Sequence, residues 1–250
     1  MMESEQMLGR TKGISETISI EDLFQIIDQE IKGKDFEPKD AKLAKATCRD
    51  DSIEEISHAA LEHGYINPST SKYMMRLETA AAVPTYGEGL IEAFYHHIPD
   101  KGVGVIIFAP HFGIDSNGRI GYLNREGQNE VGKSCGANHG VLGLWKAGQF
   151  GPYENNPELS EISNALASDR QLIIESQEPI RTMAEHEYAR FLKKLTGYVV
   201  SVQNREHHKL PILIAGGINL DTHRDTNNQF SLQNLTWIID GKVTEANYKK

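Results

Sequence analysis

The chain has few cysteines, since only Cys48 and Cys135 occur among its 250 residues. Two cysteines are too few for the disulfide framework that stabilises many small secreted proteins. The two side chains are better interpreted as free thiols or as ligands of a metal ion.

The chain also lacks an excess of basic residues and any long hydrophobic run. Lys and Arg number 26 against 35 Asp and Glu, which gives a net charge of −9. A negative charge repels the nucleic-acid backbone and anionic membrane surfaces, so we expect neither of them as a partner. The longest strongly apolar run, Val103 to Ala109, is far shorter than the roughly 20 residues that span a bilayer, so no transmembrane segment is expected.

The N-terminal residues carry no recognisable targeting signal. Residues 1–18 are polar and unpatterned, with neither the apolar core of a signal peptide nor the Arg-rich character of a transit peptide. We therefore expect a mobile arm over 1–18 and a single domain over 19–250, located in the cytoplasm. The apolar fraction of 39% is ordinary for a globular enzyme and excludes disorder as the main state.

Several segments have the apolar spacing of amphipathic helices. In the first helix, Ser19 and Asp22 form the N-terminal cap, Gly33 ends the segment, and the apolar positions are Ile20, Leu23, Phe24, Ile27 and Ile31. Further helices are predicted from Ser52 to Gly64, over 70–82, 89–97 and 137–147, and near 159–168 and 180–195.

Strands are predicted between these helices. Val103 to Ala109 is almost entirely apolar, as expected for a strand covered on both faces, and it leads into Pro110 and His111. Weaker strands are predicted over 43–48, 119–123, 210–215 and 230–240. Strands that alternate with helices predict an α/β fold with a mostly parallel β-sheet flanked by helices. Functional residues of such folds gather beyond the carboxyl ends of the strands, where Cys48 and His111 are predicted to lie.

Cys48, His111 and Cys135 could together form a three-ligand zinc site with an open fourth position. Two thiolates and an imidazole are donors that suit zinc, and each residue is predicted at a strand end or in a loop. Their wide separation in the sequence matches no short zinc-binding motif. The alternative for each cysteine is therefore a buried thiol without a metal.

Three segments of the chain resemble hallmark segments of the limiting-CO2-inducible protein B family: CRDD at 48–51, PHFGIDSNGRIG at 110–121 and SCGA at 134–137. That family is a variant group of β-type carbonic anhydrases, also called the θ class. The resemblance runs, with loose stretches, from about residue 20 to about residue 240. It implies a β-carbonic-anhydrase-like fold, a homodimer, and a Zn²⁺ ion held by Cys48, His111 and Cys135.

The resemblance also implies an Asp/Arg dyad beside the metal, which falls on Asp50 and Arg49. Ordinary β-class enzymes have Cys-x-Asp-x-Arg, whereas this chain has Ser52 in the position of that Arg. A nearby Arg would keep Asp50 ionised, so that Asp50 could orient a zinc-bound hydroxide towards CO2. Arg49 reaches Asp50 only if the backbone turns here, and Arg76 is the second candidate. Asp50 could instead ligate zinc or cap the following helix.

Three other polar residues lie in or near these segments. Asp115 is either an acceptor that orients His111 or a turn residue, with the turn favoured by the sequence FGIDSNG. Asn138 and His139 follow SCGA and are candidates for lining the pocket. His139 could carry protons to solvent if its side chain is exposed.

The residues and the resemblance together favour a zinc lyase, carbonate dehydratase, in which zinc-bound hydroxide attacks CO2 to give bicarbonate. An alternative is a catalytically idle zinc protein of the same fold that senses inorganic carbon or assembles with a partner, because a fold does not establish turnover. A third hypothesis is a zinc hydrolase of another substrate.

Overall fold

The computed structural model describes residues 17–49, 54–70, 72–125, 128–206, 209–222 and 228–246. The helices in this part of the chain are α1 (Ile20–Lys32), α2 (Glu54–Glu62), α3 (Gly87–Tyr95), α4 (Gly136–Lys146), α5 (Pro157–Ala165), α6 (Arg170–Glu175) and α7 (Pro179–Glu206). The strands are β1 (Ile18–Ser19), β2 (Ala41–Thr47), β3 (Met75–Arg76), β4 (Val103–Ala109), β5 (His111–Gly113), β6 (Tyr122–Leu123), β7 (Gly132–Lys133), β8 (Ile212–Asp221), β9 (Gln229–Ile239) and β10 (Lys242–Glu245).

The main sheet is mostly parallel, which confirms the predicted fold class. Its strands follow the order β1, β9, β8, β4, β2, β3, with β10 paired to β9 and β5 paired to β8. The central pairs β2–β4, β4–β8 and β5–β8 are parallel, whereas β9 runs antiparallel to its neighbours. Strands β6 and β7 form a separate antiparallel pair.

Helices cover both faces of the sheet, which explains why its central strand is apolar throughout. Alternate side chains of β4 point to opposite faces, so Val105 and Ile107 pack with α1 and α2. Ile106 and Phe108 pack on the other face, in the cluster that contains α3, α4 and α7. The two apolar clusters thus lie on either side of one sheet.

The parallel register brings the ends of β2 and β4 to one edge of the sheet. Thr47 pairs with Ala109, so the next residues of the two strands, Cys48 and Pro110, also lie at this edge. The chain then continues from Pro110 into β5, whose first residue, His111, pairs with Asn219 of β8. The register therefore brings Cys48 and His111 close to one another.

The prediction of a helix over 70–82 is wrong. The described residues of this segment contain instead strand β3 and a 3-10 turn over Ala80–Ala82. Met75 and Arg76 pair with β2, and Thr79 forms a bridge with Cys48, so sheet pairing overrides the local helical preference of an Ala-rich segment. Residues 119–123 also differ from prediction, because only the last two of them form a strand.

The remaining predicted elements are found, with shifted ends. The strand predicted over 210–215 does not stop at its glycine pair but continues as β8 to Asp221, with an irregular register between Gly216 and Gly217. The helix predicted near 180–195 extends further, as α7. Helix α6 and strand β10 were not predicted from the sequence. Ile18 of the predicted arm pairs with Phe230, while residues 1–16 and the predicted cap Ser52 lie outside the described residues.

None of the helices in the described part of the chain has an apolar stretch long enough to cross a lipid bilayer.

Gly217 is a position where the sheet leaves no space for a side chain. A Cβ atom there would lie 2.3 Å from a ring carbon of Phe230 and 2.5 Å from the carbonyl oxygen of Ser231. We expect Gly217→Ala to lower the free energy of unfolding by about 1–3 kcal/mol, the usual cost of overpacking. Gly143→Ala is the matched control, because nothing lies within 4 Å of its Cβ position in a helix. Urea unfolding of both variants measures the difference, and equal stabilities would contradict this packing.

His63 lies between two carboxylates and links α1 to the end of α2. Its Nδ1 is 2.7 Å from an oxygen of Asp28, and its Nε2 is 2.9 Å from an oxygen of Glu21. Burial lowers the pKa of His63, but the hydrogen bonds and charges of Asp28 and Glu21 outweigh it and raise the pKa above the ordinary value.

A raised pKa in the folded state makes His63 stabilising at low pH. The contribution is complete below the pKa of an unfolded His, about 6.5, and is lost as the pH rises through the higher folded-state pKa. We therefore expect His63→Gln to lower the free energy of unfolding more at pH 6 than at pH 9, measured by urea unfolding. His58→Gln is the control, because His58 is an exposed histidine in the neighbouring helix α2. An equal loss for His63→Gln at both pH values would contradict this assignment.

Candidate metal centre

The structure brings Cys48, His111 and Cys135 together at one buried point. Cys48 directly follows β2, His111 begins β5, and Cys135 is the residue immediately before α4. One ligand atom from each lies within 4.8 Å of the other two, and all three residues have no solvent exposure. The three residues predicted as ligands therefore converge from separate elements.

The distances and donor atoms fit a tetrahedral zinc ion. The two sulfur atoms are 3.9 Å apart, close to the roughly 3.8 Å that two Zn–S bonds of about 2.3 Å give in a tetrahedron. Nε2 of His111 is buried and has no hydrogen-bond partner among the described residues. A buried nitrogen without a partner is costly, and a metal would satisfy it. Two sulfurs and one imidazole nitrogen are donors that favour zinc over calcium or magnesium.

Asp221 holds the His111 ring in the orientation that metal binding requires. Nδ1 of His111 donates to Oδ2 of Asp221 over 2.5 Å, and the amide of Asn219 donates to the other oxygen over 2.7 Å. Because a carboxylate accepts the Nδ1 proton, Nε2 is left with its lone pair and faces the two cysteines. Asp221 is therefore the carboxylate that orients His111.

Asp115, which the sequence offered for that role, is a turn residue. Its side chain accepts hydrogen bonds from the backbone of Asn117 and Arg119 and pairs with the Arg119 guanidinium. The sequence signal for Asp221 is the alternating segment INLD, which follows the glycine pair and extends β8 to Asp221. Asp221 lies two residues beyond Asn219, the residue that pairs with His111.

The segment Ala80–Ala82 contributes a backbone hydrogen bond to Cys48, a role that sequence reasoning missed. The N–H of Ala81 donates to Sγ of Cys48 over 3.2 Å. Ala81 and Ala82 both have left-handed backbone, with φ of 50° and 58°. Alanine adopts this conformation only at a cost, and such strained residues concentrate at functional sites. The N–H here favours the ionised thiolate of Cys48.

Electrostatics in the cluster oppose ionised thiols unless a cation is bound. The hydrogen bond with Cys48 and burial raise the pKa of Cys135 well above its ordinary value. Burial lowers the pKa of His111, but the charges of Asp221 and Cys48 outweigh it and raise the pKa. A coordinated cation reverses this balance, because a thiol bound to a metal is deprotonated.

Glu187 and Asn138 form a second buried polar pair near the cluster. The Asn138 side-chain amide donates to Oε2 of Glu187 over 2.9 Å, and both residues are completely buried. Burial raises the pKa of Glu187 to about 8; the hydrogen bond from Asn138 and the charge of His111 lower it by smaller amounts, and the charge of Cys48 raises it further. Sequence reasoning named Asn138 as a pocket residue but missed Glu187.

The residues predicted as a dyad are only partly described. Asp50 and Ser52 lie outside the described residues. The side chain of Arg49 is 64% exposed and donates to Glu158 of α5 over 2.9 Å. The second candidate, Arg76, is an exposed residue of β3.

His139 does not meet the condition of exposure set for a proton carrier. Its side chain is half-buried, and its Nε2 bonds to the carbonyl of Gly121 at 2.7 Å. Burial lowers the pKa of His139. The bond to Gly121 fixes the loop that leads to Cys135, because the backbone N–H of Ser134 also donates to this carbonyl.

Comparisons with known proteins agree with the observed fold. A crystal structure of PtLCIB4, a homolog of the limiting CO2-inducible protein LCIB, is 19% identical, with 93% of this chain and 95% of that chain covered and a TM-score of 0.78. The crystal structure of LCIB itself is 14% identical, with 92% and 94% covered and a TM-score of 0.69. No curated protein sequence matches the chain.

The family profile extends over almost the whole described chain. The profile of the limiting CO2-inducible proteins B/C, described as β carbonic anhydrases, matches residues 17–238. This range contains every strand of the parallel part of the sheet and all three residues of the cluster. The chain therefore belongs to the family of limiting CO2-inducible proteins B/C, a family of β carbonic anhydrases.

Proposed function

We propose that this protein is a zinc-dependent carbonic anhydrase that interconverts CO2 and bicarbonate. The observation that carries the proposal is the buried cluster of Cys48, His111 and Cys135, with two sulfurs 3.9 Å apart and an unpartnered His111 Nε2. Membership of a family of β carbonic anhydrases supports the substrate.

The residues of the chain divide the work of holding the metal. Cys48 and Cys135 supply thiolates, His111 supplies Nε2, and Asp221 fixes the ring that carries it. When bound, zinc supplies a Lewis acid that makes a nucleophile of coordinated water at neutral pH. The complete burial of all three ligands keeps bulk water from competing with a small substrate.

Asp50 and Arg49 complete the proposed site. Asp50 follows the ligand Cys48 by two residues and would orient the attacking oxygen, with Arg49 keeping its carboxylate ionised. We further propose that the protein acts as a homodimer, which sedimentation velocity at micromolar concentration tests.

A second proposed function is a zinc protein of this fold without turnover. The observation that favours it is the ion pair of Arg49 with Glu158, which uses the guanidinium that the dyad needs. In this case the cluster would hold zinc and the protein would act in inorganic-carbon sensing or partner assembly.

Stopped-flow CO2 hydration on zinc-quantified protein separates the two proposals. A carbonic anhydrase gives fast turnover at about one zinc per chain, with loss of turnover in Cys48→Ala and in Asp50→Ala. We expect Asp50→Ala to keep its zinc and Cys48→Ala to lose it. Bound zinc without turnover from pH 6 to 9 would overturn the enzyme proposal and favour the idle zinc protein.

A further inference from the structure

Helix α7 buries a carboxyl group that the metal cluster itself does not use. Glu187 has no solvent exposure, and its only hydrogen bond to a described residue comes from the amide of Asn138. No cationic side chain forms an ion pair with Glu187 among the described residues. Fully buried carboxylates are rare unless they are paired, so this group needs an explanation.

The hydrogen bond to Asn138 places Glu187 next to the metal centre. Asn138 is the third residue after Cys135, which immediately precedes α4, so the two residues lie within one helical turn of each other. The charges of Cys48 and His111, which belong to two other elements, also act on Glu187. Glu187 is therefore within electrostatic reach of ligands that enter the centre from different sides.

Several buried polar atoms of this region lack partners among the described residues. They are Oε1 of Glu187, Oδ1 of Asn138, Nε2 of His111 and Oγ of Ser134. Buried polar atoms are nearly always hydrogen-bonded, so these unpaired donors and acceptors indicate a polar ligand that both donates and accepts hydrogen bonds. A zinc ion would satisfy only the His111 nitrogen.

A neutral carboxyl group supplies the type of hydrogen bond that an oxyanion needs. Glu187 is fully buried and has no ion-pair partner among the described residues, and these surroundings favour the protonated acid. The Asn138 amide already donates to Oε2, so the acid proton resides on Oε1, which is the unpaired oxygen. Oε1 can then donate to an acceptor oxygen in the centre.

We propose that Glu187, held in place by Asn138, binds substrate by donating a hydrogen bond from Oε1 to an oxygen of bicarbonate in the metal centre. This inference rests on the proposed function, because it names bicarbonate as the occupant. It adds a substrate-binding residue on α7 to the residues that hold the metal, and it gives the chain a means to prefer anions with acceptor oxygens.

Bicarbonate binding to the cobalt-substituted protein tests the proposal without any turnover. Titration at pH 7 is followed by the visible absorption of Co²⁺, with metal content quantified for each variant. Glu187→Gln keeps both an acceptor for Asn138 and an N–H donor, so its dissociation constant should stay within about threefold of the wild-type value. Glu187→Met removes the donor at similar size and should weaken binding by about tenfold or more.

Two further variants separate binding from folding. Glu185→Gln is the matched control, because Glu185 lies on the same helix and forms an ion pair with Arg181. This substitution should leave the dissociation constant for bicarbonate unchanged. If Glu187→Met folds poorly, the double variant Glu187→Met with Asn138→Ala removes both members of the pair and leaves neither with a lost partner. It should bind cobalt like the wild type and still bind bicarbonate at least about tenfold more weakly.

Unchanged bicarbonate binding in Glu187→Met, at full metal content, would overturn the proposal and leave the pair a structural one. A loss in Glu187→Gln equal to that in Glu187→Met would also overturn it, since that result requires an ionised acceptor instead of a donor. Failure of the proposed function is a separate result. If the wild-type protein bound bicarbonate but did not hydrate CO2, Glu187→Met would still show the weaker bicarbonate binding that this proposal expects.

Discussion

His111→Ala is expected to abolish stoichiometric zinc binding. The substitution removes the only nitrogen among the three clustered ligand atoms and leaves two buried sulfurs 3.9 Å apart. Removing a residue that only supports a ligand costs about 10–100-fold in metal affinity, so removing the ligand itself should cost more. Zinc affinity is measured by competition with a chromophoric chelator.

The exposed His97 provides the control for this variant, because His97→Ala changes the same residue type at an exposed position outside the three-ligand cluster. His97→Ala should retain about one zinc per chain, as expected for a site with its ligands intact. Near-normal zinc affinity in His111→Ala would show that the cluster is not the metal centre. Far-UV circular dichroism on each variant confirms that the comparison concerns folded protein.

Asp221→Asn is expected to lower zinc affinity by about 10–100-fold, although Asp221 is not one of the three clustered ligands. The carboxylate accepts the Nδ1 proton of His111 over 2.5 Å and is itself held by Asn219. An amide at this position carries no charge to favour that tautomer or to raise the basicity of Nε2. The same chelator competition measures the loss, with CO2 hydration as the second readout.

Asp100→Asn is the matched substitution, since Asp100 is exposed in the loop before β4. It should leave zinc affinity unchanged. Equal affinities for Asp221→Asn and the wild type would contradict the role of Asp221 as the group that orients His111. If Asp221→Asn only destabilised the fold, the variant would unfold at lower urea concentration and keep normal zinc affinity.

The central part of the fold could be predicted because its signals are local. The apolar run Val103–Ala109 predicts a strand covered on both faces, and alternation assigns its side chains to opposite clusters. The segment 70–82 could not be predicted in this way. Its alanines favour a helix, whereas the structure there depends on pairing with β2, which is a contact between distant parts of the chain.

The metal ligands could be predicted from the sequence, whereas the residues that support them could not. Cys48 and His111 follow buried strands, where parallel sheets collect functional groups, and few residue types suit zinc. Asp221 was missed because Gly216 and Gly217 look like the end of a strand, although β8 passes through them with an irregularity in its register.

Glu187 was missed because it is one of several charged residues on the 28-residue helix α7. Nothing in its local sequence distinguishes a buried carboxyl from an exposed one. Its contact with Asn138 depends on the packing of α7 against α4, so only the structure reveals it.

X-ray absorption spectroscopy at the zinc edge of the purified protein identifies the atoms that bind the metal. We expect about one zinc per chain, with two sulfur ligands at about 2.3 Å and nitrogen or oxygen ligands at about 2.0 Å. The sulfur contribution should fall to one in Cys135→Ser. A spectrum with only nitrogen and oxygen ligands would contradict the assignment of Cys48, His111 and Cys135 as the metal centre.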